Sequence, residues 1–311
     1  MKILLKKLFV TSFFLTSSVI YGNNFPNKQV NMIIHAGAGG TSDTIARAVG
    51  AKLQEQLGVP VISQNKTGGS GAVAMQFVKN ARPDGYTIMY MPVEIAMLNP
   101  LGISKVKPDD FTMLAQANMA PASLTIRKDD KRFGTIEEFI NYAKANPKKL
   151  KVGTAGTGST WTYAAKELAN KYNLEFIYVP YDGGAPATMA LLGKEVDFIT
   201  NTPNEFVSNL DQLNVLGLME AHPEFPEMKT FKEQGYNIEF SAWGGFAAPK
   251  NISPEVKKVL EDNLKEAINA PEIKKLLSQR KIVWEYKDSK DFTNFTNEQY
   301  EAFEKLIKEN K

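Results

Sequence analysis

Between Val30 and Met91, short apolar runs alternate with amphipathic stretches in an order that leaves little choice of fold. Val30 to His35 reads as a buried strand. Ser42 to Leu57 reads as a helix with Ile45, Val49, Leu53 and Leu57 on one face. Val59 to Gln64 is strand-like and Ser70 to Asn80 helical. The turn Pro83-Asp84-Gly85 then leads into a strand from Tyr86 to Met91. Parallel strands need long crossovers, so this β-α-β-α-β series predicts a parallel sheet with helices on both faces.

The rhythm restarts near residue 125. Helical patterns at Thr135 to Ala145, Ser159 to Tyr172 and Ala185 to Leu192 alternate with strand-like runs at Lys151 to Gly153, Glu175 to Val179, Val196 to Thr200 and Asn214 to Leu218. In the second helix Trp161, Ala164, Ala165, Leu168, Ala169 and Tyr172 share a face. An apolar, glycine-rich stretch follows at Ala242 to Ala248. Helices then begin after Ser253-Pro254 and Pro271, and a long terminal one runs from Ser289 to Glu309. The expected class is α/β with two lobes: residues 23–124 plus 246–311 in the first, 125–245 in the second. The terminal helices return to the first lobe.

Three strand-to-helix junctions share one chemistry: Gly37 to Asp43, Gly153 to Thr160, and Pro180 to Pro186. Each bares backbone N–H groups at a helix start beside small side chains, where an anion is favoured. The first junction lacks the lysine of a phosphate loop, and Ser42 replaces the third glycine of a dinucleotide loop. Asp43 would repel a multiply charged phosphate. A carboxylate fits better, so the three junctions are expected to line one ligand site. Asp43 itself is expected to cap its helix and fix the loop.

Catalysis and metal binding are not expected. His35 and His222 lack metal-pair spacing, no Gly-x-Ser-x-Gly elbow exists, and no cofactor motif stands out. His35, beside the first loop, is the general base of the less favoured alternative, a periplasmic hydrolase. The chain has no cysteine, so no disulfide, thiol nucleophile or lipoprotein anchor is expected. Residues 1–22 read as a signal peptide: Lys2, Lys6 and Lys7 precede the apolar run Leu8 to Ile20, which is short for a membrane span. The whole chain carries 37 basic and 34 acidic residues; without those three lysines the counts are equal, and nucleic-acid binding is not indicated. The expectation is a protein exported to the periplasm, without a lipid anchor.

The chain resembles the extracytoplasmic receptors of the tripartite tricarboxylate transporter family, also called Bug-type receptors. The resemblance runs from about Phe25 to the terminal helices. It rests on the Gly39 to Asp43 loop, Gln64 to Gly71, Ala81 to Thr87, Gly153 to Thr160, Val179 to Pro186, Leu192 to Asp197 and Trp243 to Pro249. It implies a two-lobed, Venus-flytrap fold of type II-like periplasmic binding proteins, closing on a small carboxylate. It implies delivery to large and small membrane permease subunits; a sensory role is the alternative. Ligand contacts are implied at Gly39, Gly40, Thr41, Ser42 and Asp43, at Thr157, Gly158, Ser159 and Thr160, and at Gly183, Gly184 and Ala185. The segment Thr200 to Glu205, with Asn201 in it, is implied as a further part of the cleft lining, and Met91 to Glu94 as the end of a first-lobe strand facing it. Many members have proline where this chain has Gly37-Ala38, and histidine where it has Thr162. Val196 to Glu205, with Pro92-Val93-Glu94, is similar to the tricarboxylate-binding branch rather than the amino-acid-binding one, so a tricarboxylate or dicarboxylate is expected, citrate-like first.

Overall fold

The computed structural model describes residues 25–156 and 158–309. The expected signal segment and Thr157 lie outside them. Strand β1 (Val30–Ile34) runs parallel to β2 (Val61–Asn65) and β3 (Thr87–Pro92), linked by helices α1 (Thr41–Leu57) and α2 (Ala72–Lys79). β1 is buried on both faces. Met32 and Ile34 pack with Ile45, Val49 and Leu53 of α1, whereas Ile33 packs with Ala74, Met75 and Val78 of α2. Period-two alternation divides the strand between two helical layers, and each buried aliphatic contributes about 2 kcal/mol. α1 stops at Gly58, whose left-handed φ of 67° lets its N–H reach the Gln54 carbonyl at 3.1 Å.

The chain then crosses to a second sheet. β4 (Phe111–Pro121) lies in the first sheet and β5 (Ser123–Arg127) in the second. The second sheet adds β6 (Lys151–Thr154), β7 (Ile177–Pro180), β8 (Phe198–Ile199) and β9 (Leu213–Leu218), in the order β7-β6-β8-β5-β9. Helices α3 (Ile136–Ala145) and α4 (Thr160–Tyr172) cover its Phe198 face, and α5 (Gly184–Leu192) its Ile199 face. The chain returns through β10 (Ser241–Pro249), and β11 (Val283–Lys287) completes the first sheet in the order β11-β4-β10-β3-β1-β2.

Both sheets are mixed, not purely parallel as the alternating pattern suggested. β10 runs antiparallel to β3 and β4, and β5 antiparallel to β8 and β9. The crossing strands β4 and β10 are buried along nearly their whole length, so they carry no alternating signature. The crossings also fall a few residues from the expected boundaries at 124/125 and 245/246. Ala122 donates its N–H to the Phe240 carbonyl at 3.0 Å and accepts from Met219 N–H at 2.7 Å, tying outgoing and returning chains at the hinge. All of β10 pairs with β4, so residues 241–245 belong to the first sheet.

Helices α6 (Pro254–Asn269) and α7 (Pro271–Gln279) pack on the first lobe, with Leu260 and Leu264 in the same apolar cluster as Ile45. α8 (Ser289–Glu309) touches both lobes. Its Phe292 meets Trp243 of β10 at 5.5 Å between ring centroids, and its Phe303 meets Tyr163 of α4 at 6.4 Å.

Candidate ligand cleft

A cavity of about 540 Å³ lies between the lobes, and the N-termini of α1, α4 and α5 all open on it. A helix start leaves first-turn N–H groups without intrahelical partners, so three such ends can offer donors to an anion. They are not equivalent.

At α1, Gly40 is the N-cap, with no side-chain cap bond. Asp43 acts one turn in: its Oδ2 accepts the Gly39 N–H at 3.0 Å, and its Oδ1 accepts from Arg47 Nε at 2.9 Å and Asn65 Nδ2 at 2.8 Å. Burial alone would raise its pKa; the Gly39, Asn65 and Arg47 bonds together hold it below the ordinary carboxylate value. Asp43 is 4% exposed and fixes the loop from inside rather than capping the helix. It also consumes the Gly39 donor. Thr41 and Ser42 form the cleft wall here, while Gly39, Gly40 and Asp43 do not line it.

At α4, Ser159 is the N-cap and accepts the Thr162 N–H at 3.3 Å. The next residue, Thr160, is engaged from across the cleft. Glu94, in the 3₁₀ turn Val93–Ala96 after β3, accepts the Thr160 hydroxyl at 2.9 Å and also its backbone N–H. A carboxylate of the protein thus occupies this helix end. Burial raises the Glu94 pKa, partly opposed by those bonds. Gly158 is not on the cleft wall but at a lobe–lobe contact, where a Cβ would lie 2.9 Å from Ile103 Cδ1.

At α5, Gly183 adopts φ 117° and Gly184 begins the helix, both on the cleft wall. Asn201 is fully buried and donates to the Gly184 carbonyl at 3.0 Å. It supports the loop from beneath and does not face the cavity, contrary to expectation. Ala185 points outside the cavity. A Cβ on Gly184 would overlap Glu205 and Asn201, so only glycine allows this approach.

Sequence reasoning did not single out Tyr90, Asn118 or Trp243, all on the cleft wall, and reached Glu205 only as the end of the segment Thr200 to Glu205. Glu205 Oε1 accepts the Trp161 indole N–H at 3.3 Å, while its Oε2 is buried without a partner among the described residues. Burial pushes its pKa up to about 7, only partly opposed by the Trp161 bond. Tyr90 donates to Asn118 Oδ1 at 2.5 Å, packed where Gly244 leaves room for its ring. His35 stacks on Tyr90 at 6.1 Å, and burial lowers its pKa to about 4, so it is neutral at pH 7. No lysine or arginine is among the described residues lining the cleft, whereas Glu94, Asp182 and Glu205 are. The lobes meet again where Asn204 Nδ2 donates to Thr41 Oγ1 at 3.3 Å.

Residues 45–311 match the family described as "Tripartite tricarboxylate transporter family receptor". The chain is 30% identical over 285 residues to the UPF0065 protein in gbd 5'region of Cupriavidus necator, covering 89% of this chain and 85% of that one. It is similar to the crystal structure of a TctC solute binding protein from Polaromonas, with TM-score 0.77 and 28% identity over 92% of this chain and 99% of that chain. It shares its fold with R. palustris Rpa4515, solved with adipate, at TM-score 0.81 and 23% identity over 91% and 97% of the two chains.

Proposed function

The chain belongs to the tripartite tricarboxylate transporter receptor family, and from that premise we propose that it captures a small carboxylate between its lobes and hands it to a membrane permease. As a receptor of this family it is a periplasmic binding protein, not an enzyme. The observation that carries the proposal is that the N-termini of α1 and α5, one from each lobe, line the same cavity. Their first-turn amides and positive dipole ends favour a carboxylate. The adipate held by Rpa4515 supports the same solute class.

Capture then follows from the two-lobe arrangement. The solute's carboxylate meets Thr41 and Ser42 first, and Gly183 and Gly184 complete the cage when the hinge at Ala122 closes. A ligand that contacts both lobes stabilises the closed form by its differential affinity for it, and the large and small permease subunits would read that form. A thermal-shift panel of monocarboxylates, dicarboxylates, tricarboxylates and amino acids tests the proposal. A ligand at a hundredfold its Kd stabilises by about 2.7 kcal/mol, a rise in Tm of about 5 °C for a protein of this size. A panel with no shift in any class counts against capture of a carboxylate.

A further inference from the structure

We infer that the cleft takes a solute with a single carboxylate and a cationic far end, and that Glu94 and Glu205 are the residues that turn dicarboxylates and tricarboxylates away. This rests on the carboxylate-capture reading above and narrows it.

Charge on the cleft wall favours such a solute. A carboxylate docked on α1 and α5 uses the anion-favouring ends that remain open. The third such end, at α4, already holds the carboxylate of Glu94 through the Thr160 hydroxyl and N–H. The other ionisable groups on the described wall are Glu205, Asp182, the neutral His35, and Tyr90 and Tyr181, whose hydroxyls burial keeps protonated. A second solute carboxylate would therefore face acids with no lysine or arginine on the described wall to meet it. An ammonium would face those acids instead. Glu205 in particular is held by one indole N–H, with no cation paired to it among the described residues, and burial without such a partner is what raises its pKa. A like-charge juxtaposition rejects wrong solutes even where shape admits them. A solute of this kind departs from the citrate-like expectation, and the comparison below decides between them.

The test compares matched solutes by calorimetry on the wild-type protein: succinate, glutarate and adipate against 4-aminobutanoate, 5-aminopentanoate and 6-aminohexanoate, with tricarballylate as the trianion. At least one amino acid is expected to bind tenfold or more tightly than the diacid of its length, and tricarballylate weakest of all. Glu205→Gln and Glu94→Gln should each reduce that preference at least threefold, with folding checked by circular dichroism. Diacids binding as tightly as their amino partners in the wild type, or a preference unchanged in both variants, overturns the inference and leaves carboxylate capture standing. Binding by none of these solutes overturns both.

Discussion

Glu94 of the first lobe accepts the hydroxyl of Thr160 of the second at 2.9 Å, so a hydrogen bond to a carboxylate spans the cleft. This bond forms only when the lobes approach. Hydrogen bonds to charged groups contribute about 1.5–3 kcal/mol, less where water competes. A double-mutant cycle of Glu94→Gln and Thr160→Val should give a coupling of about 1 kcal/mol, measured by urea unfolding. Additive single effects would mean that the contact does not hold the lobes together.

Glu205 makes stability depend on pH. Its folded pKa of about 7 lies above the ordinary glutamate value of 4.5, so the folded state binds more protons between those values. Stability from this group is greatest below about 4.5 and declines as pH rises towards 7. Glu205→Gln removes the dependence: it should stabilise the solute-free protein by about 2 kcal/mol at pH 8 and change little at pH 4. Denaturant titrations at the two pH values check this; a loss of stability at pH 8 would mean that Glu205 is well compensated.

Asp43 acts in the opposite sense. Its folded pKa is depressed, so its contribution is present above the ordinary carboxylate value and is lost as pH falls through the folded one. Asp43→Ala leaves Gly39 N–H, Arg47 and Asn65 without their shared acceptor. It should cost about 2–3 kcal/mol at pH 7, and the cost should shrink as pH is lowered below the ordinary carboxylate value, by urea unfolding across that range.

Gly158→Leu should leave the fold intact and prevent closure, because its side chain would meet Ile103 and Ser70 of the facing lobe. Small-angle scattering should then report the same radius of gyration with and without solute, while the wild type contracts. Gly40→Leu is the control: a Cβ there meets nothing closer than the Gly37 carbonyl at 3.8 Å. Contraction of the Gly158 variant like the wild type would place the lobe contact elsewhere.

The helices and the parallel strands were legible because their apolar residues repeat at the right spacing, as Ile45, Val49 and Leu53 do. β4 and β10 were not, because strands buried on both faces lose alternation, and β10 carries Gly244 and Gly245 where side chains crowd it. The loops named the cleft, and Thr41, Ser42, Glu94, Ser159, Thr160, Gly183 and Gly184 do line it. The sequence could not tell donors open to the cavity from donors already used, since Asp43 satisfies Gly39 and Glu94 satisfies Thr160 only once the chain is folded. Glu205 fell in a segment expected at the cleft, but its burial was hidden for a related reason: it depends on Trp161 and on Gly184, each distant in sequence.

The most direct measurement is a crystal structure of the protein grown with the solute that gives the largest thermal shift. The solute's carboxylate is expected within hydrogen-bond distance of Thr41 or Ser42 of α1 and of the Gly183–Gly184 segment at α5, with Ala122 between the closed lobes. A solute seated instead in the hinge-side cavity of about 630 Å³ beside His222 and Trp284, with the interlobe cleft empty, would contradict it.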